Sequence, residues 1–188
     1  MNNILVTGGA GYIGSHVVEQ LVKTKARIVI IDNLTTGYKK LINKNAIFIK
    51  CDIKNLKQLK KIVYKYKINS VIHLAAYLNI SESEKNKKKY YKNNVLGTLN
   101  LIKCCKSSNI KYFVFSSSCS IYGNTIGAVS EKRRPNPKSY YAYTKYQSEK
   151  IIIKYAKKYN YDYAILRYFN IAGASSSNKI GEINSSHG

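Results

Sequence analysis

With 188 residues the chain can bury one sizeable core, and no apolar run approaches the roughly twenty residues needed to span a bilayer. Its four cysteines, Cys51, Cys104, Cys105 and Cys119, lack paired C-x-x-C spacing, and His16, His73 and His187 are isolated from any metal-ligand cluster. The formal charge of +23 is spread over nearly every element with no RNA- or DNA-binding motif, so it reads as a general excess of lysine. The expectation is a cytoplasmic domain with free thiols, no metal site, no membrane segment and no specific nucleic-acid partner. The N-terminus enters a strand at once, without a signal-peptide apolar region.

In chain order, the apolar run Ile4-Leu5-Val6 leads into Thr7-Gly8-Gly9-Ala10-Gly11-Tyr12-Ile13-Gly14. From Tyr12 to Lys23, Ile13, Val17, Val18, Leu21 and Val22 recur at helical spacing, so the order is strand, glycine turn, helix. Glycines at Gly8, Gly11 and Gly14 keep side chains from a pyrophosphate and from the helix-strand contact, and the helix start supplies amide donors; Gly9 also fits the first position. A second apolar run, Arg27 to Ile31, ends at Asp32, eighteen residues after Gly14, where a carboxylate binds an adenosine ribose. That carboxylate favours NAD over NADP, while Lys39 and Lys40 nearby weaken the preference.

A polar connection with room for one helical turn covers Gly37 to Lys44, and Ala46 to Lys50 forms the third strand. Asp52, at that strand's end, is a candidate either for contact with an adenine or for capping the helix that begins near Leu56. Leu56, Leu59, Ile62, Val63 and Tyr66 form a helical stripe. Ser70 to Leu74 is strand four, followed by the small pair Ala75-Ala76. His73 lies inside this strand and is expected to be a satisfied structural histidine. A polar loop is expected from Tyr77 to Asn86, then a helix from Lys88 to Ser107 with Asn93 and Asn94 inside it, open either to a side-chain role or to solvent.

Strand five is Lys111 to Phe115, with Ser116-Ser117-Ser118 following at its crevice end. Those hydroxyls suit a phosphate, a sugar or plain strand-end hydrogen bonding. Pro135 and Pro137 mark a loop, and Ser139 is the expected cap of a helix carrying Tyr141 and Lys145 on one face. With eighteen tyrosines in the chain the spacing recurs at Tyr146 and Lys150, but five residues turn a helix roughly 140° past a full turn, so one pair is coincidental. Tyr141 and Lys145 are preferred because they follow the cap directly and the later turns, Ile151 to Ile153, pack on the sheet. The last strand is Tyr163 to Arg167, with Tyr168-Phe169-Asn170 at its end. The fold class is α/β, a doubly wound, mostly parallel sheet with helices on both faces. Residues 1–174 form the domain and 175–188 an irregular tail.

Five motifs stand in order: Val6 to His16, Asp32-Asn33-Leu34, Ser116-Ser117-Ser118 with Ile121-Tyr122-Gly123, Tyr141-x-x-x-Lys145, and Leu166 to Asn170 with Gly173-Ala174. Over the whole chain they resemble the extended short-chain dehydrogenase/reductase family, a Rossmann-type fold, and within it the UDP-glucose 4-epimerases. Ser118-Cys119 stands where the related 4,6-dehydratases carry threonine and an acid, which disfavours dehydration. The Arg-Tyr-Phe-Asn-x-x-Gly-Ala run is closer to the epimerases than to the UDP-glucuronate decarboxylases.

The resemblance implies Tyr141 as catalytic base, Lys145 lowering its pKa and holding the nicotinamide ribose, and Ser118 on the sugar's 4-hydroxyl. It places Gly8, Gly11, Tyr12, Ile13, Gly14, Asp32, Asn33, Asp52, Ile53, Ala75, Ala76, Asn93, Ser116 and Tyr168 around NAD, and Asn170 at the phosphates of a UDP-sugar. NAD would take a hydride from C4 and return it to the other face of the sugar. One position departs: Leu78 stands where family members often carry a lysine that reaches the cofactor. Members also continue beyond the equivalent of Gly188 into a sugar-binding part, so the expectation is the nucleotide portion of such an enzyme. The alternatives are an inactive NAD-binding remnant and a relative acting on another nucleotide sugar. A homodimer would use the helices around 88–107 and 139–158.

Overall fold

The structure, a computed structural model, describes residues 2–177 and 179–183. Six parallel strands form one sheet in the order β3-β2-β1-β4-β5-β6. These strands are β1 (Asn3–Thr7), β2 (Arg27–Asp32), β3 (Ile47–Lys50), β4 (Ser70–His73), β5 (Tyr112–Ser118) and β6 (Asp162–Tyr168). The helices between them are α1 (Tyr12–Leu21), α2 (Leu56–Lys65), α3 (Ile80–Lys85), α4 (Lys87–Tyr90), α5 (Gly97–Lys106) and α6 (Tyr140–Tyr159). The order turns back on itself between β1 and β4, which is where a doubly wound sheet opens a crevice at its strand C-termini. Register brings Thr7 level with His73, Asp32 with Lys50, and Ser118 with Tyr168 along that edge.

The inner strands β1, β2 and β4 are mostly apolar because both of their faces are covered, and alternate residues go to opposite layers, whereas β5 ends in three serines and the edge strand β6 is largely exposed. Leu5, Val29, Ile31, Val71, Phe113 and Phe115 join Leu59, Ile62 and Val63 of α2, Leu101 and Ile102 of α5, and Ile152 of α6 in the larger core. On the other face Val6, Ile28 and Ile30 pack with Val18 of α1. Fully burying one such side chain contributes about 1.5–3 kcal/mol, so these two layers hold the sheet rigid beneath the crevice. The four cysteines are free, and burial pushes the thiols of Cys51 and Cys104 up to about 11.

Several local expectations need correction. Residues 77–86 are not all loop: α3 forms there, capped by Asn79, whose side chain accepts from the amide of Glu82 at 2.7 Å. Its one buried residue is Ser83, so it carries no apolar stripe to betray it. The helix expected from Lys88 to Ser107 is interrupted by a π-helical segment, Tyr91–Leu96. The carbonyl of Asn94 there accepts from Thr98 Oγ1 at 2.6 Å and from Ser148 Oγ at 2.9 Å. Hydroxyls thus supply partners where the backbone ladder is widened. Ser116, Ser117 and Ser118 lie within β5 and pair with β6, instead of following the strand. The helix from Leu56 is capped by Asn55, not Asp52. Gly37 to Lys44 does contain a helical turn, the 3-10 segment Lys39–Leu41.

Candidate functional site

Gly8 leaves β1 in the left-handed region, φ 73°, and a Cβ there would lie 2.7 Å from the amide nitrogen of Ala75. At Gly14 a Cβ would stand 2.1 Å from the carbonyl oxygen of Gly8, so only glycine lets α1 start this close to the strand. Gly11 caps α1 with no side-chain acceptor. The first-turn residues Tyr12, Ile13 and Gly14 therefore offer amide donors and a partial positive charge to the cleft they line. This cradle suits a pyrophosphate. Gly9 instead packs on Ile30, where a Cβ would meet Cγ2 at 2.7 Å.

Asp32 closes the same cleft. Its carboxylate accepts from the amide of Ala10 at 3.1 Å and from that of Leu34 at 2.8 Å, which ties the glycine turn to the end of β2. Further lone pairs are available for a ribose hydroxyl. The cleft, about 280 Å³, is also lined by Asn33, Ile53, Ala75, Ala76, Asn93 and Ser116, all expected from the sequence. Asn93 is nearly buried and donates to Asn94 Oδ1 at 3.1 Å. Asn94 grips the backbone of Tyr77, accepting from its amide at 2.9 Å and donating to its carbonyl at 3.1 Å.

Other expected residues lie off this lining. Asp52 is engaged with Asn33 Nδ2 at 3.1 Å, the Lys54 amide at 2.8 Å and the Lys54 ammonium at 3.4 Å. Burial works against its charge, yet these partners hold its carboxyl below the ordinary range. Tyr168 is half-buried at the end of β6, and Asn170 is exposed beyond it. Leu78 lines the cleft at 50% exposure, with no charge to offer a cofactor.

Where β5 meets α6, Ser118, Tyr141 and Lys145 come together. Ser139 caps α6 by accepting from the amide of Ala142 at 3.1 Å, which puts Tyr141 in the first turn. The Tyr141 phenol hydrogen-bonds with Ser118, whose Oγ also pairs with Ser120 Oγ at 2.8 Å. Lys145 Nζ lies 5.9 Å from the Tyr141 ring centre and donates to the carbonyl of Ser116 at 2.7 Å. Lys145 and Tyr141 are both buried, whereas Lys150 of the rival pair is exposed. The expected depression of Tyr141 by Lys145 is not seen in the protein alone. Burial pushes the phenol up to about 12 against the opposing hydrogen bond from Ser118, and burial pulls Lys145 down to about 7 while Glu149 raises it.

Sequence reasoning missed Thr36, Gly37, Tyr38 and Cys51 around the cleft, and Glu182 and Ile183, which reach it from the tail. Gly37 stands tight against Asp32: a Cβ there would meet both carboxylate oxygens at 2.9 Å. It also missed Glu149, four residues beyond Lys145 and buried in an ion pair with Arg167 at 2.8 Å. His73 is a structural histidine, bonded at both ring nitrogens to Thr7 and Thr98. His187 lies outside the described residues. Among the described residues no group of three or more metal-ligating side chains forms, and no helix is long and apolar enough to cross a membrane.

The strand order and glycine cradle define a Rossmann-type α/β protein. Comparison with known proteins then gives the family: the chain belongs to the NAD dependent epimerase/dehydratase family, matched over residues 4–186. It is 43% identical over 180 residues to a UDP-glucose 4-epimerase of Lactobacillus helveticus, covering 95% of this chain and 54% of that protein. The UDP-glucose 4-epimerase of Brucella ovis, solved in complex with NAD, superposes with a TM-score of 0.93 at 38% identity, over 97% of this chain and 56% of that one. The Thermotoga maritima enzyme, solved with UDP-glucose, gives 0.88 at 34% identity, over 92% of this chain and 57% of that one. The chain spans about half the length of the relatives it matches.

Proposed function

We infer that the chain is the nucleotide-binding portion, residues 1–174 with the tail that follows, of an NAD-dependent UDP-sugar 4-epimerase. The observation that carries this reading is the meeting of Ser118, Tyr141 and Lys145 at the sheet edge beside a cleft built for a dinucleotide. The relatives solved with NAD and with UDP-glucose support it. The amides of Tyr12, Ile13 and Gly14 would hold the pyrophosphate, Asp32 the adenosine ribose, and Asn93 and Ser116 the nicotinamide end. Bound NAD supplies a hydride acceptor that returns the hydride within the same cycle.

The chain's own residues manage the proton. Ser118 orients the sugar's 4-hydroxyl toward Tyr141, and the phenolate oxygen takes its proton, giving it back when the hydride returns. A phenol held up near 12 is a poor base at neutral pH, so it works only once positive charge stands beside it. Lys145 and the oxidised nicotinamide supply that charge together. Asn170 would meet the phosphates of the UDP-sugar, and a homodimer would form through the helices around 88–107 and 139–158.

The test is direct. Purified protein should release NAD on denaturation and interconvert UDP-glucose and UDP-galactose, and Tyr141→Phe should abolish turnover while NAD stays bound. NAD bound without turnover in the unmodified chain would leave a non-catalytic dinucleotide-binding domain. Loss of NAD in the Phe variant would overturn the role given to Tyr141.

A further inference from the structure

Two charged side chains of α6 are buried side by side, Lys145 at 2% exposure and Glu149 at 1%. They grip consecutive residues of β5: Lys145 Nζ donates to the carbonyl of Ser116 at 2.7 Å, and Glu149 Oε1 accepts from Ser117 Oγ. Arg167 on β6 lies level with Ser117 in the strand register and completes the arrangement. Its Nε donates to Glu149 Oε1 at 3.1 Å and its Nη2 to Oε2 at 2.8 Å, a two-pronged contact. Arg167 is itself anchored by the hydroxyl of Tyr122 at 2.8 Å and the carbonyl of Glu131 at 3.2 Å.

We propose that Glu149 is a positioning residue for the Tyr141–Lys145 pair: its buried carboxylate, clamped by Ser117 and Arg167, favours the protonated form of Lys145 against the burial that disfavours it. A lysine in an apolar interior gives up its proton unless an opposite charge stands by. The groups facing Lys145 are Glu149 and Tyr141 on its own helix, the Ser116 carbonyl and Phe115 ring on β5, and His73 on β4. His73 is neutral and Tyr141 is protonated at neutral pH, so Glu149 is the one anion among them. Its direction of action agrees, since burial lowers Lys145 and Glu149 raises it. Arg167 fixes the carboxylate in place without being the lysine's own partner.

The inference rests on reading Tyr141 and Lys145 as the reacting pair, but its test measures the lysine itself and needs no turnover. In the full 188-residue chain labelled with ¹³C-lysine, the Lys145 Cε signal is followed against pH by NMR, in wild type and in Glu149→Gln. Loss of the anion should lower the Lys145 midpoint by on the order of one pH unit. A purely structural role predicts the opposite sign, because loosened packing admits water and lets the lysine return toward its ordinary, higher value. An unchanged or raised midpoint overturns the proposal. If Glu149→Gln does not fold, Glu149→Asp decides: the charge is kept but drawn back from the lysine, so the midpoint should fall by less, and a rise again overturns it. Failure of the epimerase reading would show instead as absent NAD or absent turnover, with this titration unaffected.

Discussion

The backbone amide of Tyr141 donates to the buried hydroxyl of Ser83 at 3.0 Å, joining residues 58 apart in sequence. Glu84 takes the neighbouring Tyr140 amide at 2.6 Å and Ser139 that of Ala142 at 3.1 Å, so three donors left free at the start of α6 find side-chain acceptors. Two of the three come from α3. Replacing Ser83 by alanine leaves a buried amide without a partner and should cost about 1–2 kcal/mol. Urea unfolding measures this as a lower midpoint with an unchanged slope. Glu84→Ala should cost less, because its bond is exposed and water can replace it. Equal effects would mean that burial does not set the difference.

The glycine turn makes a graded prediction. A methyl at position 14 would sit 2.1 Å from the carbonyl oxygen of Gly8, while one at position 11 would meet that same oxygen at 3.3 Å. Gly14→Ala must push α1 off β1, at a cost of about 1–3 kcal/mol or more, and Gly11→Ala should be milder. Thermal melts with and without NAD test both parts: Gly14→Ala should lower the melting temperature more and abolish the stabilisation by NAD.

Much of this architecture is legible in the sequence because its signals are local. Ile4 to Gly14 announces strand, turn and helix by spacing alone, and Asp32 is found by counting from it. The Tyr141–Lys145 pair is distinguishable from Tyr146–Lys150 because a helix face and a cap decide it. What escaped reading is long-range or lacks an apolar pattern. Helix α3 is held by polar contacts: Asn79 caps it locally on Glu82, the Tyr90 hydroxyl reaches the Asn79 carbonyl, and Ser83 meets the distant Tyr141 amide. Glu149 looks like any exposed charge until β6 brings Arg167 beside it. The direction of the Tyr141 shift was also hidden, since burial is a property of the packed core and motif spacing does not reveal it.

The Glu149–Arg167 pair should show the asymmetry of buried charges. Arg167→Leu strands a carboxylate that is 1% exposed, and breaking such a pair from one side costs about 3–5 kcal/mol; the lower end applies here because the arginine side chain is 20% exposed. Replacing both partners, Glu149→Met with Arg167→Leu, removes the stranded charge and should recover part of that loss. A double-mutant cycle read from denaturant midpoints tests it. Additive losses would show that the pair does not act as a unit.

His73 supplies the pH dependence. Its Nδ1 is 2.7 Å from Thr7 Oγ1, which already accepts the amides of Leu74 and Ala75 at 3.2 Å each. Thr7 therefore donates to Nδ1. On the other side Thr98 Oγ1, 2.9 Å from Nε2, donates to the Asn94 carbonyl at 2.6 Å, so Nε2 carries the ring proton. A second proton on Nδ1 would face the hydrogen of the Thr7 hydroxyl. Together with burial, and then the charge of Lys145, this agrees with a pKa pulled down to about 3 from an ordinary 6.5. Between these values the unfolded chain binds a proton that the folded chain refuses. The contribution is thus complete above pH 6.5 and is lost as pH falls toward 3, by about 1.4 kcal/mol per unit. Stability measured from pH 6.5 down to 5, before most carboxylates titrate, should fall with that slope. In His73→Gln, which retains one donor and one acceptor, the slope should flatten by about that amount. A parallel ¹⁵N spectrum should show the proton on Nε2, and either an Nδ1 tautomer or an unchanged slope in the glutamine variant would contradict the assignment.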